Sequence, residues 1–286
     1  MGWWSKNNSP NLSVWHNRPH DTYTAAMSKF TTDDIRRLYA SEAAVHGTRG
    51  TSTIQDIRTR KLEVDAIASY LTDGQKVLEV GCGNGYLAAC LIRRFNIELT
   101  GFDLSKDLIE QANCQKLSNA RGSAAFSVGD ILTFDGRELF DLAFSVRCLQ
   151  NLPSWEDQKK GLSNVIRALK LGAQYIMEES FWTGLNNLNE ARQELDLGPI
   201  PESWHNIFFH EQQTIDFLES IGCTYVDQNT FLSGYYFGSR VLLPALMPKH
   251  KKVTSASRLN DYFAHLAPAG DFCPMKILRF RRASYA

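Results

Sequence analysis

The stretch Lys76-Val77-Leu78-Glu79-Val80-Gly81-Cys82-Gly83-Asn84-Gly85, with Asp103 closing Leu99-Thr100-Gly101-Phe102-Asp103, decides the fold. The short apolar run reads as a buried parallel strand. It breaks into a turn with glycine at every second position. A helical stretch, Tyr86 to Phe95, follows, and a second strand from Ile97 to Phe102 ends in an acid. Without a Cβ, glycines let the backbone take positive φ and approach a ligand closely. A carboxylate at the tip of the neighbouring strand can accept hydrogen bonds from both hydroxyls of a ribose. Strand, glycine turn, helix, strand and acid together predict a pocket for a nucleoside-containing cofactor.

Alternation continues from there, with strands expected near 76–80, 97–102, 124–128, 140–145 and 173–178 and helices between them. That order implies a parallel sheet covered on both faces. A helix over 211–220, a strand over 223–231 and a closing strand from Pro274 to Arg282 follow. Upstream, Thr31-Thr32-Asp33-Asp34 reads as a helix start before Ile35, and Ile57 to Leu71 carries Leu62, Ala66, Ile67 and Leu71 at helical spacing. The connection 181–210 is expected to be long and irregular. A second insertion, 233–270, is aromatic-rich with a helical run from Tyr235 to Leu246. Residues 1 to about 30 are polar with scattered aromatics and are expected to lie over the domain as an arm. Residues 1–72 are thus an N-terminal arm with helices, and 73–286 the main domain with its two insertions.

The spacing Gly81-x-Gly83-x-Gly85 after Glu79 differs from the dinucleotide pattern G-x-G-x-x-G. It resembles the first motif of the class I S-adenosylmethionine-dependent methyltransferases. The resemblance runs on in order through Asp103, Gly129-Asp130-Ile131, Phe140-Asp141-Leu142-Ala143-Phe144-Ser145 and Ala168-Leu169-Lys170-Leu171-Gly172-Ala173. In the last segment Leu171 and Ala173 replace the family's usual Pro and Gly. The resemblance implies an α/β, Rossmann-like, doubly wound sheet of seven strands, the last antiparallel, with N-terminal helices and lid insertions. It implies S-adenosylmethionine as cofactor. Gly81, Gly83 and Gly85 would pass under its methionyl part and ribose, with Glu79 near the methionine amino group. Asp103, followed by Leu104, would meet the ribose; Asp130 and Ile131 the adenine; Ser145 and Arg147 the methionine end.

In methyl transfer the protein mainly positions the nucleophile. A hydroxyl acceptor needs a general base or prior ionisation. Candidate bases are His205, Glu178 and Glu179, with His46 and His210 behind them. Alternation along the strand points only one of Glu178 and Glu179 at the pocket and leaves the other solvated or salt-bridged. Arg147 can clamp an anionic substrate or pair with one of these glutamates. The amine-methylating motif of nucleic-acid enzymes is absent, since Arg147-Cys148-Leu149-Gln150 stands there. What remains is similar to bacterial small-molecule and sugar-modifying methyltransferases. The expected acceptor is a small molecule, foremost a hydroxyl of a sugar or secondary-metabolite precursor. N- or C-methylation, or a non-catalytic cofactor-binding role, stays open.

Formal net charge is zero, from 31 basic and 31 acidic residues, which argues against a nucleic-acid partner. The six cysteines have no metal-ligand spacing, so no metal is expected, and they fit a reducing compartment. No run is long enough to span a membrane and no signal peptide is seen, so a cytoplasmic monomer or homodimer is expected. Lys249-His250-Lys251-Lys252 reads as a solvated basic loop.

Overall fold

A computed structural model describes residues 30–247 and 257–283; the N-terminal arm and the basic cluster at 249–252 fall outside the described residues. Helix α1, Thr32–His46, starts with a capping box: Thr31 Oγ1 accepts from the Asp34 N–H and the Asp34 carboxylate accepts from the Thr31 N–H. Such a cap stabilises a helix by about 0.5–2 kcal/mol. Helix α2, Ile57–Ala68, is capped by Asp56. Then come β1 Lys76–Val80, α3 Tyr86–Arg94, β2 Glu98–Asp103, α4 Lys106–Asn113, β3 Ser123–Val128 and β4 Phe140–Val146. A 3₁₀ turn at Leu149–Asn151 leads into α5, Trp155–Ala168, and β5, Leu169–Ser180. The rest is α6 Trp182–Glu194, α7 Glu211–Ser220, β6 Cys223–Asn229, α8 Ser233–Phe237, a π turn Gly238–Leu242, α9 Leu243–Leu246, α10 Arg258–Phe263 and β7 Met275–Arg282.

The strands form one seven-stranded sheet in the order β3-β2-β1-β4-β5-β7-β6. β7 runs antiparallel to both β5 and β6, and the other pairings are parallel. Alternation along the strands divides the core between two faces. Leu142, Phe144 and Ile176 pack with Val64 and Ile67 of α2 and Leu87, Leu91 and Ile92 of α3. Ala143, Tyr175 and Met177 pack on the other face with Leu162 and Val165 of α5. Fully burying each of the large aliphatic residues contributes about 1.5–3 kcal/mol. The same alternation sends Glu178 to the α2 face and Glu179 to the α5 face.

The segment 181–210 is not irregular throughout: it contains the thirteen-residue helix α6. No side chain caps its start, and Gly184, Asn186, Asn187 and Asn189 are poor helix formers, so local signals are weak. Tertiary packing supplies the helix instead, through buried Leu185 and Leu188 and the fit of Gly184 against the Cys273 carbonyl. β5 begins earlier than expected, at Leu169, because Leu169 already pairs with Phe140 before the register shifts. No helix among the described residues is long and apolar enough to cross a membrane.

Candidate active site

A cleft of about 1070 Å³, its open mouth included, lies at the carboxyl edge of β1, β2 and β4. Its floor is the turn after β1. Gly81 and Gly83 have φ of 74° and 52°, and the N–H groups of Gly81 and Cys82 donate to the Phe102 carbonyl, tying the turn to β2. Cys148 Sγ occupies the position a Cβ on Gly81 would take. Gly85 does not reach the cleft. A Cβ there would meet Ala112 and Phe126, so the missing side chain lets α4 and β3 pack closely against the turn.

Asp103 lines the cleft with its carboxylate locked from behind. Oδ2 accepts the Gly83 N–H at 2.9 Å and Oδ1 the Ser105 N–H at 2.8 Å. Burial raises its pKa while these two donors pull it down. Glu79 is 3% exposed, lines the cleft, and its Oε2 has no hydrogen-bond partner among the described residues. Burial holds its carboxyl well above the usual carboxylate range. An unpaired buried carboxyl oxygen is costly unless a ligand completes it. Leu104, Asp130 and Ile131 line the far end, where Asp130 Oδ1 accepts the Leu132 N–H at 2.8 Å.

The near wall comes from outside the β-α repeat. Thr32, Ile35, Arg36 and Tyr39 of α1, Thr53 and Arg60 complete it, facing Asn151, Leu152 and Pro153. The loop before α2 is pinned over the glycine turn: Asn84 Nδ2 donates to the carbonyls of Gly47 and Arg49, and Gln115 Nε2 to that of Thr48. The described residues of the two aromatic insertions line no part of the cleft. They buttress its walls instead. Asn151 Nδ2 donates to the His205 carbonyl and to Asn206 Oδ1, while Tyr235 and Arg240 both bond the Asp56 carboxylate that caps α2.

Arg147 lines the cleft but pairs with neither Glu178 nor Glu179. Its Nε donates to Glu63 Oε1 at 2.8 Å and its Nη1 to the Thr53 carbonyl at 2.8 Å. Glu63 also holds Arg60 at 3.0 Å. Four of the five Arg147 N–H groups are therefore engaged, and the fork that would clamp an anion is taken by Glu63. The three expected bases stand behind the walls, and none lines the cleft. Glu178 and Glu179 are both fully buried, so neither is solvated. Glu179 accepts the N–H groups of Cys148, Leu149 and Gln150 and the Ser145 hydroxyl, organising the turn after β4; burial pushes its pKa up to about 7. Ser145, buried between Glu179 and Tyr175, likewise does not reach the cleft. Glu178 has no hydrogen-bond partner for either oxygen among the described residues, and burial with nearby Glu63 raises its pKa strongly. His205 is half-buried against Trp204, and burial lowers its pKa. His46 Nδ1 bonds the Thr51 hydroxyl and its Nε2 lies 3.5 Å from Glu42 Oε2, and His210 starts α7 without a side-chain cap bond.

Tyr39, Thr53, Arg60 and Glu63 were not among the residues expected at the site. One signal was available: Thr59, Arg60 and Glu63 sit on the same buried helix face as Ala66 and Ile67, where an amphipathic helix normally places apolar side chains. No group of three or more His, Cys, Asp or Glu side chains among the described residues could hold a metal ion.

Residues 77–172 match the family model of a methyltransferase domain. The chain is 28% identical over 110 residues to an O-methyltransferase of Aspergillus nomiae, a match covering 38% of this chain and 48% of that one. It is 30% identical over 109 residues to ajmaline N-methyltransferase of Rauvolfia serpentina, covering 36% and 35%. The matches thus span about half or less of these relatives. Magnesium protoporphyrin IX methyltransferase of Synechocystis PCC 6803, solved with bound SAH, shares the fold at a TM-score of 0.59 and 15% identity, over 88% of this chain and all of that one. The matched segment runs from β1 to the start of β5 and builds the cleft floor; this part of the chain is a methyltransferase domain, on a fold shared with S-adenosylmethionine-dependent methyltransferases.

Proposed function

We propose that this protein transfers the methyl group of S-adenosylmethionine to a hydroxyl oxygen of a small molecule, with a sugar or secondary-metabolite precursor as the acceptor. Within the division into 1–72 and 73–286, the helices of the first part pack on the core and the second part is the transferase domain. The observation that carries the cofactor half is the unpaired Glu79 carboxyl oxygen beside the glycine turn, with Asp103 presented from the next strand. Glu79 fits an ammonium group, Asp103 a ribose, and Leu104, Asp130 and Ile131 an adenine edge and face. Gly81 and Gly83 keep the floor clear for the bound group. The cofactor supplies the activated methyl, and the protein's residues bind, orient and exclude water.

The hydroxyl acceptor is supported by the relative named an O-methyltransferase and by a cleft that joins apolar side chains, Ile35, Leu152 and Pro153, to a few polar ones. The balanced step breaks the sulfur–methyl bond, leaving the neutral thioether S-adenosylhomocysteine, forms an oxygen–methyl bond and passes the hydroxyl proton to solvent water. The ajmaline relative supports N-methylation as the second reading. The six free cysteines support a reducing, cytoplasmic setting. Incubation with methyl-labelled cofactor and a metabolite extract tests the proposal. Label retained in a product of low molecular mass is expected, and resistance to mild base separates an ether or amine from a methyl ester. Cofactor binding without label transfer to any fraction would overturn it.

A further inference from the structure

Tyr39 and Asn151 face each other across the wall of the cleft that α1 and the 3₁₀ turn build, and both line it. Tyr39 Oη lies 2.8 Å from Asn151 Oδ1. The orientation of that amide follows from its other contacts. Asn151 Nδ2 stands 3.0 Å from the backbone carbonyl of His205, which can only accept, and 2.8 Å from Asn206 Oδ1. The nitrogen must face that carbonyl, so the oxygen must face Tyr39. Two oxygens at 2.8 Å need a proton between them, and only the phenol has one. The Tyr39 proton is therefore committed to Asn151, and what the phenol offers the cleft is an oxygen lone pair. Among the described residues, no other hydrogen bond to this oxygen competes for it. Burial pushes the Tyr39 pKa up, which keeps that proton in place at neutral pH. The phenol also lies within electrostatic reach of Arg147, Asp103 and Cys148, all of which line the same cleft.

We infer that Tyr39 is an acceptor-binding residue that selects a neutral hydroxyl and rejects a carboxylate. A hydroxyl donates its proton to Tyr39 Oη and keeps a lone pair for the methyl group. A carboxylate brings only lone pairs and would meet another lone pair in a partly desolvated site. The cleft's arginines give no relief, because Arg147 is held by Glu63 and Thr53, Arg60 by Glu63, Gly50 and Thr53, and Arg36 is paired with Asp33 at the exposed rim. This inference rests on the transferase proposal and narrows its substrate class to acceptors that arrive with their proton.

The test uses the full chain saturated with S-adenosylhomocysteine, with phenol, anisole and benzoate as probes in calorimetry or ligand-observed NMR. Phenol should bind roughly 2- to 12-fold more tightly than anisole, the range one net hydrogen bond supplies. Benzoate should bind most weakly. Tyr39→Phe should bring phenol and anisole to parity. Asn151→Leu frees the phenol proton to point into the cleft and should improve benzoate binding. Parity of phenol and anisole in the unmodified chain overturns the inference. So do a preference for benzoate, binding by none of the three, or a phenol preference that survives Tyr39→Phe. Affinity for S-adenosylhomocysteine, measured first on each sample, distinguishes the two failures: its absence would sink the transferase proposal before any probe is added.

Discussion

Arg147 and Glu63 form a buried two-point ion pair, Nε to Oε1 at 2.8 Å and Nη2 to Oε2 at 3.4 Å, joining the end of β4 to the middle of α2. Arg147 holds a φ of 52°, unusual for a residue with a side chain, and its N–H donates to the Glu178 carbonyl at 2.8 Å. Such a conformation costs of order 1–3 kcal/mol and persists only where neighbours determine it. Glu63, Thr53 and β5 are those neighbours, and through them α2 and its preceding loop are fixed at the rim of the cleft.

Removing one partner of this pair leaves the other charge buried alone. Glu63→Ala should lower stability by about 3–5 kcal/mol, measured by chemical denaturation. Loss of less than about 1 kcal/mol would mean the pair is solvated in solution.

Asp103→Ala should weaken S-adenosylmethionine binding roughly 10- to 150-fold, the range for hydrogen bonds to a charged group. Calorimetry on the folded variant checks it. Unchanged affinity would remove Asp103 from the ribose site.

Glu179 sets a pH dependence. Its folded pKa of about 7 lies above the ordinary value of 4.5. Between these values the folded state holds more protons than the unfolded one. The contribution is therefore present in full below about pH 4.5 and is lost as pH rises towards 7, by an amount on the order of 3 kcal/mol. Glu179→Gln should flatten this part of the stability–pH curve. An unchanged slope in the variant would assign the titration elsewhere.

His205→Ala should leave cofactor affinity unchanged and reduce label transfer by less than about tenfold, since the ring lies outside the cleft. A general base would contribute about 10²- to 10⁴-fold. A loss of that size would show that the 203–207 segment closes over the acceptor during turnover.

Gly81→Ala should impair both folding and cofactor binding, because Cys148 Sγ fills the space and φ is 74°. Adding Cys148→Ala relieves the crowding but not the backbone strain. The double variant should recover part of the lost melting temperature, and no recovery would place the whole cost in φ.

The parallel sheet, the glycine turn and Asp103 were legible in the chain because each is written in short-range pattern. A buried strand is a run of apolar residues, a turn needing positive φ is a glycine, and an acid at a strand tip is one position in a βαβ unit. The start of α1 was legible for the same reason, since Thr31 and Asp34 cap it within one turn. Helix α6 was not, because its stabilisation comes from Leu185, Leu188 and Gly184 packing on distant residues. Nor was the lid: α1, Thr53 and Arg60 wall the cleft, and the described parts of the aromatic insertions stand behind as buttresses. Sequence alternation correctly separated Glu178 from Glu179 but could not show that both point into protein. Arg147 could have taken an anion or a carboxylate partner, and only the packing of α2 against β4 and β5 brought Glu63 to it. Tyr39 and Asn151 lie 112 residues apart and meet only in the folded molecule. Local pattern determined the backbone scaffold because hydrogen-bonding geometry and burial period act over a few residues. Tertiary structure decided the partners of each polar side chain, because those bonds depend on which elements pack together.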